Sequence, residues 1–439
     1  MDGFDISSLA VADPAAPDAT PTAIPVAGRP YGVLGRVLGH SYTPTIYREL
    51  AGLDYRRFER EPDELGAFLS SDEWEGVNVT IPYKQAVLPY LDELTPLAAR
   101  MGNVNTITRL ADGRLRGDNT DYFGFKVLAE SLGLELAGKR ALVMGHGGAG
   151  STVAMVLGDL GMDVVFAGRA HRADDPLALT YDELGAKASD VSLAVNCTPV
   201  GMFPRCPEAP CDIAELPALE GVIDIVYNPA RTAILLQAER RGIPHVGGLL
   251  MLVAQAAQAV ERYTGATVAM DRISQVTDEL SLSEQNVVII GMPGSGKTRV
   301  GKKLASLLGR EFVDIDHAFA DMVGTPCAGF IEEHGEDAFR ARETEVLSKV
   351  AARSGLVVSC GGGVVERAAN YDLLHQNGRI CMIDRPLGEL AYKGRPITAR
   401  DGVEALAERR LPLYRAWADI TVHSTDSAQH TAEALASLL

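Results

Sequence analysis

One eight-residue segment constrains this chain more than any other, because its pattern dictates both a local geometry and a domain boundary. The segment is Gly291-Met-Pro-Gly-Ser-Gly-Lys-Thr298, which matches G-x-x-x-x-G-K-[ST] without departure. An apolar run precedes it over 287–290, and helical spacing follows over 298–308. Strand, glycine loop and helix together predict a phosphate cradle of backbone N–H groups. Such a loop follows the first strand of its domain, so a new domain begins near residue 285.

The residues of this loop have separate expected roles. Lys297 reaches the β and γ phosphate oxygens, and Thr298 offers a hydroxyl to Mg²⁺. The positions expected to approach the phosphates through their backbone are Gly291, Gly294, Ser295 and Gly296. The loop predicts nucleoside triphosphate binding, and it leaves ATPase, GTPase and small-molecule kinase open.

Length and composition limit the classes of protein to consider. With 439 residues, the chain is long enough for two to four domains. Its net charge of −17 argues against broad binding to nucleic acid or to anionic membranes. No apolar run approaches a membrane span, and the N-terminus lacks the positive region of a signal peptide. Cys206 and Cys211 form a close pair without a second pair to complete a zinc site. We therefore expect a cytoplasmic protein that acts on small molecules.

The chain before the glycine loop begins with a distinct tail. Residues 1–28 are rich in alanine, proline and aspartate without an apolar period, which predicts a disordered or loosely attached tail. Over 29–128, strand-like runs alternate with helical ones. The strand-like runs cover 76–80 and 104–108, and the helical runs cover 86–100 and 122–132. This alternation predicts a layered α/β lobe.

A second glycine-rich turn follows at Gly145-His-Gly-Gly-Ala-Gly150. A buried-strand run over 140–144 precedes it, and a helical stretch over 151–160 leads to a second strand at 163–166. A βαβ unit with a glycine turn is typical of dinucleotide binding, although glycine turns also serve packing alone.

The end of the second strand bears on the choice of dinucleotide. No Asp or Glu is present there to hold a ribose 2′-hydroxyl, whereas Arg169 and Arg172 suit a 2′-phosphate. This pattern favours NADP over NAD. The alternative is two solvated surface arginines.

Two polar residues follow strands in the first lobe. Lys84 ends the segment Asn78-Val-Thr-Ile-Pro-Tyr-Lys84, and Asp121 ends Gly117-Asp-Asn-Thr-Asp121. A Lys–Asp pair beside a nicotinamide can pass a proton to a carbonyl oxygen as hydride arrives. A surface lysine and a turn aspartate are the alternative interpretation.

Seven motifs in the family's order make residues 30–265 resemble shikimate dehydrogenase. They are His40-Ser-Tyr-Thr-Pro44, Asn78–Lys84, Val104-Asn105-Thr106, Asn119-Thr-Asp121, Asn196-Cys-Thr-Pro199, Asp224-Ile-Val-Tyr-Asn-Pro229 and Met251-Leu-Val-Ala-Gln255. The resemblance implies that Lys84 is the catalytic acid/base and that Ser41 and Thr43 bind the substrate carboxylate. The residues implied to hold ring hydroxyls or the carbonyl are Thr80, Asn105, Asp121, Tyr227 and Gln255.

The same resemblance assigns the cofactor contacts. Ile225 and Gly248 are implied to lie near the nicotinamide. The residues implied to carry the pyrophosphate are Gly145, Gly147, Gly148 and Ala149. Gly168-Arg169-Ala170 replaces the family's Asn-Arg-Thr, which leaves NAD as an alternative to NADP. Thr43 replaces a serine, a change found in relatives that also accept quinate.

The region after the P-loop adds three polar features. Asp314 and Asp316 end a predicted strand, Arg340 stands one helical turn before Glu343, and Gly361-Gly-Gly363 follows a buried run. Carboxylates there suit Mg²⁺ and an acceptor hydroxyl, and glycines let a backbone approach a ligand. Turn carboxylates, a surface ion pair and a loose loop are the alternatives.

Together these features make the chain from residue 286 to its end resemble shikimate kinase. The resemblance implies that Asp316 contacts the reacting hydroxyl and that Asp314 helps hold Mg²⁺. Arg395, in Gly394-Arg-Pro-Ile397, is similar to the lid arginine that reaches the transferred phosphoryl group. The residues implied to bind shikimate are Arg340, Gly362, Gly363 and Arg410.

The predicted architecture is α/β throughout: a two-lobed dehydrogenase, with a Rossmann-type NADP lobe, followed by a P-loop kinase domain with a parallel sheet. The predicted boundaries are 1–28 for the tail, 29–128 with 249–265 for the shikimate-binding lobe, 129–248 for the NADP lobe, 266–285 for a linker with one helical turn, and 286–439 for the kinase.

The predicted function is reduction of 3-dehydroshikimate with NADPH, then phosphorylation of shikimate with ATP and Mg²⁺. One alternative is an NAD-linked quinate/shikimate dehydrogenase fused to a kinase. The other is a regulator that keeps both folds for ligand binding only.

Overall fold

The computed structural model describes residues 10–11, 28–39, 42–171, 175, 177–204, 206–390, 400–424 and 427–439. The chain divides into two compact units. The first comprises Met1–Thr198, Ala214–Ile225 and Ile243–Glu279, and the second comprises Pro199–Ile213, Val226–Gly242 and Leu280–Leu439. Elements are numbered in chain order within the described residues.

The first unit contains a mixed sheet that forms the predicted substrate lobe. Its strands are β1 (Ala10–Val11), β2 (Tyr31–Gly35), β3 (Tyr55–Glu59), β4 (Gly76–Val79), β5 (Glu93–Leu94), β6 (Thr106–Arg109) and β7 (Leu115–Asp118). They lie in the order β1-β5-β7-β6-β4-β2-β3, and only β6 runs antiparallel to its neighbours. The accompanying helices are α1 (Thr43–Ala51), α2 (Leu65–Leu69), α3 (Pro96–Met101) and α4 (Asp121–Glu130).

A second sheet in the same unit forms the predicted dinucleotide lobe. Its strands are β8 (Arg140–Met144), β9 (Asp163–Gly168), β10 (Leu179–Thr180), β11 (Val191–Asn196), β12 (Gly221–Asp224) and β13 (His245–Gly247), and its helices are α5 (Gly148–Asp159) and α6 (Leu184–Lys187). All strands are parallel, in the order β10-β9-β8-β11-β12-β13. Such a sheet is covered on both faces, which explains its continuous apolar runs.

The second unit contains the P-loop domain and α7 (Ala233–Arg240). Its strands are β14 (Asn286–Ile290), β15 (Phe312–Asp314), β16 (Val357–Ser359), β17 (Gly378–Asp384) and β18 (Ile420–His423), all parallel in the order β15-β16-β14-β17-β18. Its helices are α10 (Lys297–Leu308), α11 (Ile315–Val323), α12 (Cys327–His334), α13 (Glu336–Ala351), α14 (Ala369–His375), α15 (Val403–Trp417) and α16 (Ala428–Ala436). The α/β class predicted for both parts is confirmed.

Two further helices precede the P-loop domain: α8 (Leu249–Thr264) and α9 (Met270–Glu284). Gly265 ends α8 in the left-handed conformation, with φ 74°, and its N–H donates to the Glu261 carbonyl. Short 3₁₀ turns cover Pro62–Glu64, Leu88–Tyr90, Tyr181–Glu183, Ile213–Glu215, Val364–Glu366 and Leu387–Glu389. None of the helices in the described residues is long and apolar enough to cross a membrane.

The prediction that the segment 266–285 holds only one helical turn is wrong. Most of that segment is the 15-residue helix α9. The helix buries Ile273, Val276 and Leu280, which recur at positions i, i+3 and i+7. Polar residues dominate the other face. The average composition of the segment therefore does not indicate this short apolar stripe.

Two other expectations also need correction. The helical run predicted over 86–100 is instead a 3₁₀ turn, strand β5 and the short helix α3. Pro89 and Pro96 divide the segment, because proline cannot donate a backbone hydrogen bond within a helix. In the predicted disordered tail, Ala10–Val11 pair as a strand with Glu93–Leu94; Gly28 is described as part of a turn, and the rest of the tail lies outside the described residues.

Candidate active sites

The structure brings Lys84 and Asp121 into direct contact. Lys84 lies in the turn after β4, and Asp121 is the first residue of α4. Their Nζ and Oδ2 atoms are 2.5 Å apart, with 32% of the lysine side chain and 19% of the aspartate side chain exposed. A half-buried ion pair that solvent can still reach fits a proton donor that must be recharged after each turnover.

A buried amide network lies beside this pair. The Oδ1 atom of Asn105 accepts hydrogen bonds from the Thr120 N–H at 2.7 Å and from the Thr106 hydroxyl at 2.9 Å. The Thr120 hydroxyl is 3.4 Å from Oε1 of Gln255. The predicted residues Asn105 and Gln255 therefore converge on the residue that precedes Asp121.

Close packing of two helices places Gln255 in this network. A Cβ atom on Gly124 of α4 would lie 2.7 Å from the Met251 carbonyl oxygen and 2.9 Å from the Gln255 Cβ atom. Only glycine permits that approach of α4 to α8. This explains why a residue distant in sequence completes the first site.

The other residues predicted to bind the substrate lie in different parts of the structure. Thr80 follows β4 directly, and its N–H donates to the Leu34 carbonyl at 3.0 Å. Thr43 begins α1 and is partly buried. Ser41 lies outside the described residues. Tyr227 belongs to the second compact unit, where burial raises the pKa of its phenol. The roles of these residues stay predictions.

The glycine turn after β8 leaves an exposed helix N-terminus. Gly145 adopts φ +105°, and a Cβ atom on Gly150 would lie 2.1 Å from the Gly145 carbonyl oxygen, so the turn requires glycine at both positions. Gly147 and Gly148 differ, because a Cβ atom on either would meet no atom within 4 Å. Ala149 beside them is also exposed. Open space at a helix N-terminus fits a pyrophosphate.

The remaining cofactor residues that the structure describes follow three strands, β9, β12 and β13. Gly248 packs against Ile225 so closely that a Cβ atom on it would lie 2.0 Å from the Ile225 carbonyl oxygen. Arg169 is exposed just after β9, and Arg172 lies outside the described residues. The two residues implied to flank a nicotinamide therefore meet in the structure.

Asn78 is a residue for which the sequence predicted no role. Its Oδ1 atom accepts hydrogen bonds from three buried tyrosine hydroxyls: Tyr47 at 2.6 Å, Tyr55 at 2.8 Å and Tyr263 at 3.0 Å. Its Nδ2 atom donates to the Thr106 hydroxyl at 3.1 Å. Asn78 thereby connects α1, β3 and α8 to the strand that follows Asn105. In the sequence, this role was indicated by the position of Asn78 as the first residue of the Asn78–Lys84 motif.

We expect Asn78→Ala to lower the free energy of unfolding of the dehydrogenase part by about 1–3 kcal/mol, because buried hydroxyls lose their acceptor. Tyr83→Phe is the matched control, since it removes one hydrogen bond, from the Tyr83 hydroxyl to the Arg60 carbonyl. Urea unfolding of the full chain measures both. A loss no larger than that of the control would show that Asn78 does not organise this lobe.

In the second unit the P-loop has its expected form. Gly291, Gly294 and Gly296 adopt φ values of +142°, +86° and +96°, which favour glycine. The ammonium of Lys297 donates to the Gly291 and Met292 carbonyls at 2.8 and 3.0 Å. Gly294, Gly296 and Lys297 line a cavity of about 350 Å³.

One buried polar atom of this loop supports phosphate as its ligand. Ser295 is fully buried, and its hydroxyl has no hydrogen-bond partner within the described part of the chain. Buried hydroxyls are nearly always satisfied, so an unpaired one beside a cavity points to an absent acceptor. Phosphate oxygens are such acceptors.

The predicted metal residues are in contact. The Thr298 hydroxyl donates to Oδ2 of Asp314 at 2.8 Å, and Asp314 caps α11 by accepting from the Asp316 N–H at 3.1 Å. A hydroxyl and a carboxylate are the protein ligands that Mg²⁺ takes beside phosphate and water. Among the described residues, no group of three or more His, Cys, Asp or Glu is arranged to hold a metal by itself.

The Gly361–Gly363 turn joins these residues to the predicted acceptor site. A Cβ atom on Gly361 would lie 2.9 Å from Glu343 Oε1 and 3.1 Å from Asp316 Oδ1. A Cβ atom on Gly362 would lie 2.6 Å from the Pro293 side chain of the P-loop. The turn therefore packs between the phosphate loop and two carboxylates.

Arg340 closes the other side of the turn. A Cβ atom on Gly363 would lie 2.0 Å from its Nη2 atom, and its Nη1 atom donates to Glu343 at 2.8 Å. Burial raises the pKa of Glu343, while the Arg340 guanidinium opposes that shift. The predicted pairing of these two residues one turn apart is present in the structure.

Glu366 is the main feature that the sequence did not reveal. Its Oε2 atom accepts from Arg340 at 3.0 Å and from Arg410 at 2.6 Å. The two arginines predicted to bind a substrate carboxylate are therefore brought together by a carboxylate of the chain itself. Arg395 lies outside the described residues, whereas Arg385, for which no role was predicted, lines the cavity.

Comparisons with known proteins find a different family match in each part of the chain. Residues 33–107 match the family described as shikimate dehydrogenase substrate binding domain, and residues 293–439 match the family described as shikimate kinase. The chain is 36% identical over 270 residues to shikimate dehydrogenase (NADP(+)) of Bacillus cereus strain B4264, which covers 57% of this chain and 97% of that protein.

Solved structures extend the similarity to the fold. A chorismate mutase/shikimate 5-dehydrogenase fusion protein from Clostridium acetobutylicum matches with a TM-score of 0.53 and 30% identity, over 58% of this chain and 97% of that one. Shikimate 5-dehydrogenase from Thermus thermophilus, in complex with NADP(H) and shikimate, matches with a TM-score of 0.50 and 32% identity, over 57% of this chain and 99% of that one. The chain therefore belongs to the shikimate dehydrogenase family and carries a shikimate kinase domain after it.

Proposed function

We propose that this chain catalyses two consecutive reactions: reduction of 3-dehydroshikimate to shikimate with NADPH, and phosphorylation of shikimate to shikimate 3-phosphate with MgATP. The observation that carries the proposal is the presence of both sites in one chain, where the product of the first is the acceptor of the second. The names of the relatives support NADP(H), and the kinase family supports ATP.

In the first reaction, Lys84 donates a proton to the carbonyl oxygen of the substrate. NADPH supplies the hydride to the carbonyl carbon, so the C=O double bond becomes a C–H and an O–H bond. Asp121 holds the ammonium at 2.5 Å and positions it for this donation. Asn105 and Gln255 orient ring hydroxyls, which raises the effective concentration of the reacting groups.

In the second reaction, Asp316 accepts the proton of the acceptor hydroxyl as its oxygen attacks the γ-phosphorus. Lys297 and the P-loop backbone stabilise the charge that moves toward the β-phosphate. Thr298 and Asp314 would hold Mg²⁺, which would neutralise phosphate charge, and Arg340 and Arg410 bind the carboxylate of the acceptor. ADP leaves with the electrons of the broken P–O bond.

The decisive experiment supplies 3-dehydroshikimate, NADPH and MgATP to the purified full-length protein. We expect shikimate 3-phosphate with all three present and shikimate without ATP, both measured by mass spectrometry. Formation of shikimate without any phosphorylated product would contradict the kinase assignment. Binding of both substrates without turnover would favour the regulator instead.

A parallel comparison tests the dehydrogenase alternatives. Oxidation rates with shikimate and with quinate, each with NADP and with NAD, give four values of kcat/KM. We expect the pair of shikimate and NADP to be the highest. A higher value for quinate with NAD would replace the proposed first reaction by the quinate alternative.

A further inference from the structure

We propose that Glu366 sets the affinity of the kinase site for the carboxylate of its acceptor, by occupying the two arginines until the acceptor carboxylate displaces it. The inference rests on the proposed kinase function and names the residue that controls acceptor binding there.

The first observation is the geometry of the bridge. Oε2 of Glu366 accepts from Arg410 Nη2 at 2.6 Å and from Arg340 Nη2 at 3.0 Å. Oε1 of the same carboxylate is 2.7 Å from Arg409 Nη2. Charge-assisted contacts of this length are the strong class of hydrogen bonds. A single internal carboxylate therefore holds the arginines as a bound carboxylate would.

The second observation is the burial of the arginines. Arg340 is 7% exposed and Arg410 is 2% exposed. The Nε atom of Arg410 is buried without a hydrogen-bond partner in the described ranges. A buried guanidinium with an unused N–H can donate to a further acceptor. A carboxylate that accepts from the Nη2 atoms of both arginines must replace Glu366 there.

The third observation is the charge balance of the cluster. Arg340, Arg400, Arg409 and Arg410 contact four carboxylates, those of Glu336, Glu343, Glu366 and Asp401. The four cations and four anions therefore balance within this cluster. A further carboxylate beside the buried Arg340 and Arg410 would leave one negative charge uncompensated, which is costly. Exchange of one carboxylate for another avoids that cost.

Glu366 contacts both arginines and is better placed to leave than Glu343. Its side chain is 18% exposed, whereas that of Glu343 is 2% exposed. It ends the 3₁₀ turn Val364–Glu366, whose two valines are buried and anchor the backbone. Partial burial would raise the pKa of Glu366, but the hydrogen bond and charge of Arg410 lower it below its ordinary value. Glu366 thus competes as an anion with the acceptor carboxylate for the two arginines.

The test is Glu366→Gln in the full-length protein, with shikimate binding measured by titration calorimetry. Glutamine keeps the size and a hydrogen-bond acceptor but removes the competing charge. We expect the dissociation constant for shikimate to fall about fivefold to tenfold. Glu408→Gln is the matched control, because it removes the same charge from an exposed position on α15. We expect no change in that variant.

The methyl ester of shikimate separates this effect from a general change in the site. It lacks the negative charge, so we expect Glu366→Gln to leave its affinity unchanged. A weaker affinity of Glu366→Gln for shikimate would overturn the inference and show that Glu366 holds the arginines in place for the substrate. An unchanged affinity would also overturn it.

A second variant keeps the inference testable where Glu366→Gln fails to fold. Glu366→Asp keeps the charge and shortens the side chain, so we expect a smaller fall in the dissociation constant; no fall would count against the inference. Dehydrogenase turnover of each variant reports an intact chain. If the unmodified protein neither binds nor phosphorylates shikimate, the proposed function fails. If it does both and neither variant binds more tightly, only this inference fails.

Discussion

Lys84→Met should lower kcat of the dehydrogenase reaction by about two to four orders of magnitude. Methionine preserves the length of the side chain but cannot donate a proton to the developing alkoxide. The 2.5 Å contact between Lys84 and Asp121 would also be lost, which leaves the aspartate without its partner. Initial rates of NADPH oxidation with 3-dehydroshikimate measure the effect.

Two controls accompany Lys84→Met. Lys126→Met removes a half-exposed lysine whose partner is Glu130 on the same helix, so we expect its turnover to be unchanged. The kinase reaction of the Lys84 variant, measured on the same preparation, should equal that of the unmodified chain. Normal dehydrogenase turnover in Lys84→Met would refute the assignment of the catalytic acid to this residue.

The second large effect is expected in the kinase. Asp316→Asn should lower kcat of phosphoryl transfer by about two to four orders of magnitude, because an amide cannot accept the proton of the attacking hydroxyl. The affinity for MgATP should change little, since Thr298 and Asp314 retain their 2.8 Å contact. Coupled detection of ADP gives kcat, and nucleotide titration gives the affinity.

Asp321→Asn serves as the control for Asp316→Asn. It removes a carboxylate from an exposed position of the same helix, α11, away from the cavity. We expect both reactions of that variant to be normal. An equal loss of kcat and of MgATP affinity in Asp316→Asn would place this carboxylate in metal binding rather than in proton transfer.

The P-loop shows how far local sequence determines structure. Gly291, Gly294 and Gly296 have positive φ values that disfavour other residues, so the pattern itself specifies the turn. The apolar run before it forms the fully buried strand β14. Both features depend on neighbours in sequence, and both were predictable for that reason.

The chemistry of the first site was predictable as a set of residues but not as a geometry. Lys84 and Asp121 are 37 positions apart, and their contact depends on how β4 and α4 meet. The position of Gln255 depends on the absence of a side chain at Gly124, which lies on another helix. The spacing of residues within α4 or within α8 does not encode the distance between the two helices.

The sequence composition did not predict helix α9, for a different reason. Its three buried residues, Ile273, Val276 and Leu280, occupy one narrow face of a helix that is otherwise polar. Composition averaged over the segment favours a linker, whereas helical periodicity favours a helix. The buried face is where the tertiary structure provides the stabilisation that the intrinsic propensity of a short helix does not.

The sequence by itself determined two glycine-rich turns, the residue types proposed for catalysis at each site, and the order of the two family domains along the chain. These follow from backbone conformations and side-chain chemistry that neighbouring residues specify. Only the tertiary structure decided which charges meet. Glu366 lies 26 positions from Arg340 and 44 from Arg410, yet it bridges both. Electrostatic energy depends on distance in space, and folding sets that distance. The P-loop was therefore evident from eight consecutive letters, whereas the carboxylate that competes for the acceptor site was not.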